Sequence, residues 1–219
     1  MEVIAQSHRL PVPMARVEDI LSVYRDRPAY RVTPEEQRGV DESLRRLGLH
    51  LKIEGRSNNH VYDDDPKQMR YQFETLSQLH KILPENISVQ YILFEVGGNV
   101  GYISKWLPLK SLARDFPSEQ PSENTVFVES LQRIRRELDS AVETMGRNGF
   151  MHNDLFANAM IDMERRRLVL LEPAYVLRSG NPDLDDKNKI IEELEIKART
   201  LQRTGGTFKP MRATDFQAV

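Results

Sequence analysis

The chain contains no cysteine, which excludes disulfides, thiolate metal sites and a cysteine nucleophile. That fits a reducing compartment, and it also suits a protein that must unfold for export. No apolar stretch approaches the roughly 20 residues needed to cross a bilayer, so no membrane span is expected. The N-terminal run Met1-Glu2-Val3-Ile4-Ala5-Gln6 lacks a basic region followed by an apolar block, so no Sec signal is expected either. Charge of one sign is also lacking. A formal net charge of -2 gives no basis for general nucleic-acid binding or for electrostatic attachment to a membrane. Internal repeats and low-complexity segments are missing.

What is present is ordinary globular material. A length of 219 residues suffices for one sizeable core, or for two small lobes. The first 32 residues hold Pro11, Pro13 and Pro28 around a short helical pattern, Val17-Ile20-Leu21-Tyr24, and read as an extension packing on the domain. Thr33-Pro34-Glu35-Glu36 is a favoured helix entry. His50-Leu51-Lys52-Ile53-Glu54 alternates like a strand ending at Gly55, and Ser57–His60 and Asp63-Asp64-Asp65-Pro66 read as loops. The acidic run lacks the alternating ligands, glycine and closing glutamate of a Ca²⁺ loop and reads as a solvated turn. Asp65-Pro66 opens a helix with Met69, Phe73, Leu76 and Leu79 at helical spacing.

Two strands follow, Val89–Glu95 and Val100–Trp106, joined by Gly97-Gly98-Asn99, which supplies the positive φ angles of a tight hairpin. A short helix is expected from Ser111 to Phe116. The clearest helix carries Phe127, Leu131, Ile134, Leu138, Val142 and Met145, and stops at Gly146 or Gly149. Arg133, Arg135 and Arg136 read as its wet face, and Arg165-Arg166-Arg167 as a charged hairpin turn. A charged helix from Asp185 to Thr204 closes the readable pattern.

The stretch Gly149-Phe150-Met151-His152-Asn153-Asp154-Leu155-Phe156-Ala157-Asn158 has the form of a phosphotransferase catalytic loop. An apolar run, Ala159-Met160-Ile161, follows it, and Glu172 lies beyond the strand-like Leu168-Val169-Leu170-Leu171. On these residues the chain resembles a small, degenerate member of the protein-kinase-like superfamily, most like the compact kinase-like effectors that bacteria inject into host cells. The resemblance runs from Lys52 to Glu172. It implies an α+β, bilobal fold: an N-terminal extension over 1–32, a small β-rich N-lobe over 33–106, and a truncated helical C-lobe over 107–219. It implies ATP and Mg²⁺ as cofactors and a protein as substrate or regulatory partner, in the cytoplasm or delivered into a host cell.

Roles carry over position by position. Asp154 matches the base that orients the substrate hydroxyl, and Asn158 and Glu172 match the Mg²⁺ ligands. Lys52 matches the lysine that holds the α- and β-phosphates. Glu74, or Gln72 if the helix register shifts, matches the residue that fixes that lysine. Trp106 falls at the hinge-like end of Tyr102–Pro108 and is a candidate for lining the nucleotide site, with a core role as the alternative. His152 reads as a buried structural residue. Leu79-His80 and Asn86-Ile87 resemble the punctuation after the kinase helix C.

The departures are equally specific. The kinase loop places asparagine five after the aspartate. That position is Ala159, and the asparagine comes one residue early. Glu172-Pro173-Ala174 stands for Asp-Phe-Gly, and the extra methylene moves the carboxylate where geometry is the catalyst. No Gly-x-Gly-x-x-Gly precedes Lys52, Asn153 stands where an arginine is usual, and no Ala-Pro-Glu follows Glu172. Two other readings therefore stand beside an active protein kinase: a pseudokinase used as a binding or allosteric module, and a small-molecule kinase of the aminoglycoside or choline type.

Overall fold

The structure, a computed structural model, describes residues 1–55, 66–150, 152, 155–171 and 184–203. It is α+β with antiparallel sheets, and it divides into two units, Met1–Leu107 and Pro108–Val219. The first contains β1 (Glu2–Gln6), α1 (Met14–Leu21), α2 (Pro34–Arg46), β2 (Leu49–Ile53), α3 (Pro66–Ile82), β3 (Gln90–Val96) and β4 (Asn99–Lys105). The second contains β5 (Leu109–Ser111), α4 (Pro121–Arg147), the single turn α5 (Leu155–Asn158), β6 (Ala159–Asp162), β7 (Arg167–Leu170) and α6 (Leu184–Arg203). Among the described residues no helix is long and apolar enough to cross a membrane.

In the first unit the strands lie in the order β1-β3-β4-β2. Residues directly opposite in an antiparallel pair share a face, so the register assigns the faces. Leu51 opposes Ile103, and Ile103 opposes Ile92. That face is packed by Val17 and Leu21 of α1 and Val40 and Leu44 of α2 in one buried cluster, with Phe94 and Ile53 fully enclosed. Burying each such side chain is worth about 1.5–3 kcal/mol. The opposite face carries Lys52, Tyr102 and Leu93 in a row, and α3 packs on β3 and β4, with Phe73 against the Tyr102 ring at 6.2 Å.

The opening residues belong to this unit. β1 is an edge strand paired antiparallel with β3, although five residues reading Glu-Val-Ile-Ala-Gln give little alternation to read. The segment after α1 is held by Asn99, which is buried. Its Oδ1 accepts from the Ala29 amide at 2.7 Å, and its Nδ2 donates to the carbonyls of Tyr24, Arg27 and Val96 at 3.2, 3.1 and 3.0 Å. Gly97 in the same turn has φ +56°, and a Cβ there would sit 2.2 Å from the carbonyl oxygens of Tyr24 and Arg25. Only glycine lets the turn approach so closely.

α2 begins as its sequence predicts. The Thr33 hydroxyl accepts from the Glu36 amide, the Glu36 carboxylate accepts from the Thr33 amide, and Pro34 opens the first turn, completing a capping box.

The second unit differs from expectation at 111–116. Ser111 ends β5, which pairs antiparallel with β6, and no helix follows. The Asp115 carboxylate accepts from the Ser111 amide at 2.6 Å and the Ser111 hydroxyl accepts from the Arg114 amide at 3.2 Å. These side chains fold the backbone into a turn, which is how serine and aspartate compete with helix formation.

Candidate functional site

α4 delivers the chain to the catalytic-loop-like segment. Its inward residues Phe127, Ile134, Leu138, Val142 and Met145 are buried. It ends in a Schellman motif: the Phe150 amide donates to the Met145 carbonyl at 2.9 Å, the Gly149 amide to Gly146 at 3.1 Å, and Gly149 takes φ +74°. Two residues later His152 is buried, 3 % exposed, with Nε2 2.8 Å from the carbonyl oxygen of Leu171. A carbonyl only accepts, so Nε2 donates. The Leu171 amide in turn donates to the Asn158 carbonyl at 3.0 Å.

These two bonds fasten both ends of the loop 152–158 to one residue at the end of β7. Leu155 is buried at 1 % and Ala159 at 0 %, so the loop's apolar flanks are anchored as well. Asn158 is half-buried at the end of α5 and directly precedes β6. Asp154 and Glu172 lie outside the described residues. Their neighbours Leu155 and Leu171 are the anchored positions. The loops at 57–60 and 63–65 also lie outside, as does the tail beyond 203.

Side chains the sequence did not single out hold this frame. Glu137 of α4 accepts from the Leu168 amide at 2.7 Å and from Arg133 Nε at 2.8 Å, tying α4 to β7. Asp162, 1 % exposed, accepts from the amides of Glu164 and Arg165 at 3.0 and 3.1 Å and shapes the turn carrying the three arginines. An acidic residue in register with the apolar stripe of α4 was the available signal for Glu137. Two of the arginines read as the wet face of α4 form ion pairs, Arg133 with Glu137 at 2.8 Å and Arg135 with Glu195 of α6 at 2.5 Å, and in the arginine turn Arg166 meets Glu129 at 2.7 Å. Lys197 of α6 donates to the carbonyls of Leu112 and Ala113 at 3.1 and 2.6 Å. Burial holds its ammonium below the usual lysine range, against the opposing pull of Glu193.

In the first unit, Lys52 is half-buried on the face of the sheet that α3 covers. On α3, Gln72 is buried at 3 % and Glu74 is exposed. Among the described residues the buried Gln72 Oε1 has no hydrogen-bond partner. Trp106 is half-buried, its amide bonded to Gly48 O at 2.9 Å and its ring under the Arg45 guanidinium at 4.5 Å. Among the described residues no group of three or more acidic or histidine side chains could by itself cage a metal ion. Comparison with protein-family models, curated proteins and solved structures found no match to this chain.

Proposed function

We propose that the chain is a minimal, atypical protein kinase with a degenerate bilobal kinase-like fold, transferring the γ-phosphoryl group of ATP to a protein hydroxyl. The observation that carries the proposal is the Leu171 knot. His152 and Asn158, which flank Asp154, both bond to the residue immediately before Glu172. A second support is that Lys52 shares a sheet face with Tyr102, on which α3 packs.

Asp154 accepts the substrate hydroxyl proton as the oxygen bonds to the γ-phosphorus and the bond to the β-phosphate oxygen breaks. Lys52 offsets phosphate charge. Mg²⁺ keeps waters and nucleotide phosphates as ligands and needs only one or two from protein. Asn158 and Glu172 are a hard oxygen pair that suits it, without a three-residue cage. Bound Mg²⁺ and ATP supply the activated phosphoryl group. Trp106 lines the adenine end of the nucleotide in this reading.

One observation favours the pseudokinase reading instead. A neutral amide, Gln72, occupies the buried side of α3, and an amide cannot fix a lysine by charge. Thermal stability with ATP and Mg²⁺ varied separately decides between the two, because a ligand that binds only the folded state stabilises by about 2.7 kcal/mol at a hundred times Kd. A shift that needs both supports the enzyme, and a shift with ATP alone supports the pseudokinase. No shift at millimolar nucleotide removes both nucleotide readings and leaves a protein-binding module.

A further inference from the structure

His8, just after β1, and His80, in the last turn of α3, come together, and the proposed phosphoryl transfer assigns a chemical role to neither. His8 follows β1, where the amides of Ser7 and His8 both donate to the Tyr91 carbonyl, at 2.9 and 3.4 Å. His80 lies in the last turn of α3. Their ring centroids are 5.2 Å apart and their planes cross at 82°. His8 Nδ1 is 3.0 Å from the Gln90 carbonyl oxygen and 3.2 Å from the Ser7 hydroxyl, and His80 Nδ1 is 2.8 Å from the Ile87 carbonyl oxygen. Since a carbonyl only accepts, both Nδ1 atoms carry hydrogen. In the neutral rings each Nε2 is then a bare lone pair. Fixing Nδ1–H on a backbone carbonyl is the arrangement that orients histidine ligands toward a metal and raises their basicity.

We propose that His8 and His80 form a two-histidine chelate for a borderline divalent cation of the Zn²⁺ type, bound through both Nε2 atoms with water completing the shell. Imidazole nitrogen suits Zn²⁺, Ni²⁺ and Cu²⁺, whereas Mg²⁺ and Ca²⁺ prefer oxygen. Two imidazoles on one tetrahedral ion, with Zn–N of about 2.0–2.1 Å, place their ring centroids roughly 5 Å apart. The observed spacing matches that. The C-terminal end of α3 offers negative partial charge to a cation. Arg9 and Lys81, next in sequence to the two ligands, oppose it, so the affinity is that of a simple chelate and not of a closed structural site. Occupied, the site ties the end of β1 to the end of α3.

The test uses the untagged full chain without nucleotide, titrated with ZnCl₂ and followed by calorimetry and by thermal unfolding. The expected result is one ion per chain and a midpoint rise of roughly 3–6 °C at ten times Kd, reversed by EDTA. Both signals should be lost in His8→Gln and, separately, in His80→Gln. His80→Gln also removes the bond to Ile87, so its calorimetry is read well below that variant's own midpoint. No saturable binding up to millimolar Zn²⁺ would overturn the chelate and leave an edge-to-face ring contact only. Binding that survives either substitution would overturn it too, and would assign the ion to His50, His60, His152 or the amino terminus.

Discussion

The imidazole of His152 donates from Nε2 to the carbonyl of Leu171 at 2.8 Å, so a residue two before Asp154 fixes the residue one before Glu172. Removing a buried donor leaves the carbonyl unsatisfied, at about 1–3 kcal/mol. His152→Ala should therefore lower the unfolding free energy of the second unit by that amount. Denaturant unfolding checks it, and an unchanged midpoint would mean that water replaces the ring.

Asp154→Asn should reduce phosphotransfer at least ~100-fold, the typical contribution of a positioned base, while nucleotide-dependent stabilisation persists. Radiolabel transfer to a generic protein substrate and a thermal shift, measured on the same preparation, separate chemistry from binding. Loss of folding in this variant would make Asp154 structural. Asn158→Ala should weaken the Mg²⁺ dependence of any shift and leave a metal-free ATP shift unchanged.

Asn99→Ala strips the Ala29 amide and the carbonyls of Tyr24 and Val96 of their buried partner. A cost of about 3 kcal/mol is expected, and chemical denaturation measures it. Gly97→Ala should cost more than about 2 kcal/mol, since the new methyl meets backbone oxygens that cannot yield and the residue keeps a left-handed conformation.

Glu36 carries a pH signature. Hydrogen bonding to Arg27 first, then to the Thr33 amide and hydroxyl, lowers its carboxyl from 4.5 to about 2. A group whose folded pKa is depressed stabilises the fold above its unfolded pKa and loses that contribution as pH falls toward the folded value. Stability should thus decline between pH 4.5 and about 2, and Glu36→Gln should flatten that part of the profile. A midpoint-versus-pH series for both proteins shows it. Identical slopes would mean that Glu36 is not the titrating group.

Trp106 is the only tryptophan, so intrinsic fluorescence reports that position alone. Arg45→Ala should change its emission and cost about 0.5–1 kcal/mol, the worth of an exposed cation–π contact. A nucleotide titration that leaves the emission unmoved would count against Trp106 as a lining residue.

Local signals carried most of the architecture. Thr33-Pro34 with Glu36, the Gly97-Gly98-Asn99 hairpin and the apolar stripe of α4 each hold their chemistry within a few residues, and all were readable. β1 was not, because an edge strand of five residues is made by its partner β3 and leaves no pattern of its own. The turn at 111–115 was missed because the Ser111 and Asp115 side chains overrode an acceptable helical spacing. At the candidate site, the asparagine and histidine of the loop could be picked out by motif. The Leu171 knot joining them depends on the β6–β7 hairpin bringing the chain back, which no spacing displays. The ambiguity between Gln72 and Glu74 was visible as two registers, and burial alone separates them.

The pairing of Glu2 with Glu95 has a kinetic side. Closing so long a loop costs entropy before any contact repays it. The four-stranded sheet therefore cannot be completed until the ribosome has released the chain through β4. During synthesis α1 and α2 must wait with their apolar faces uncovered. That interval is when this unit is most exposed to aggregation or to capture by a chaperone.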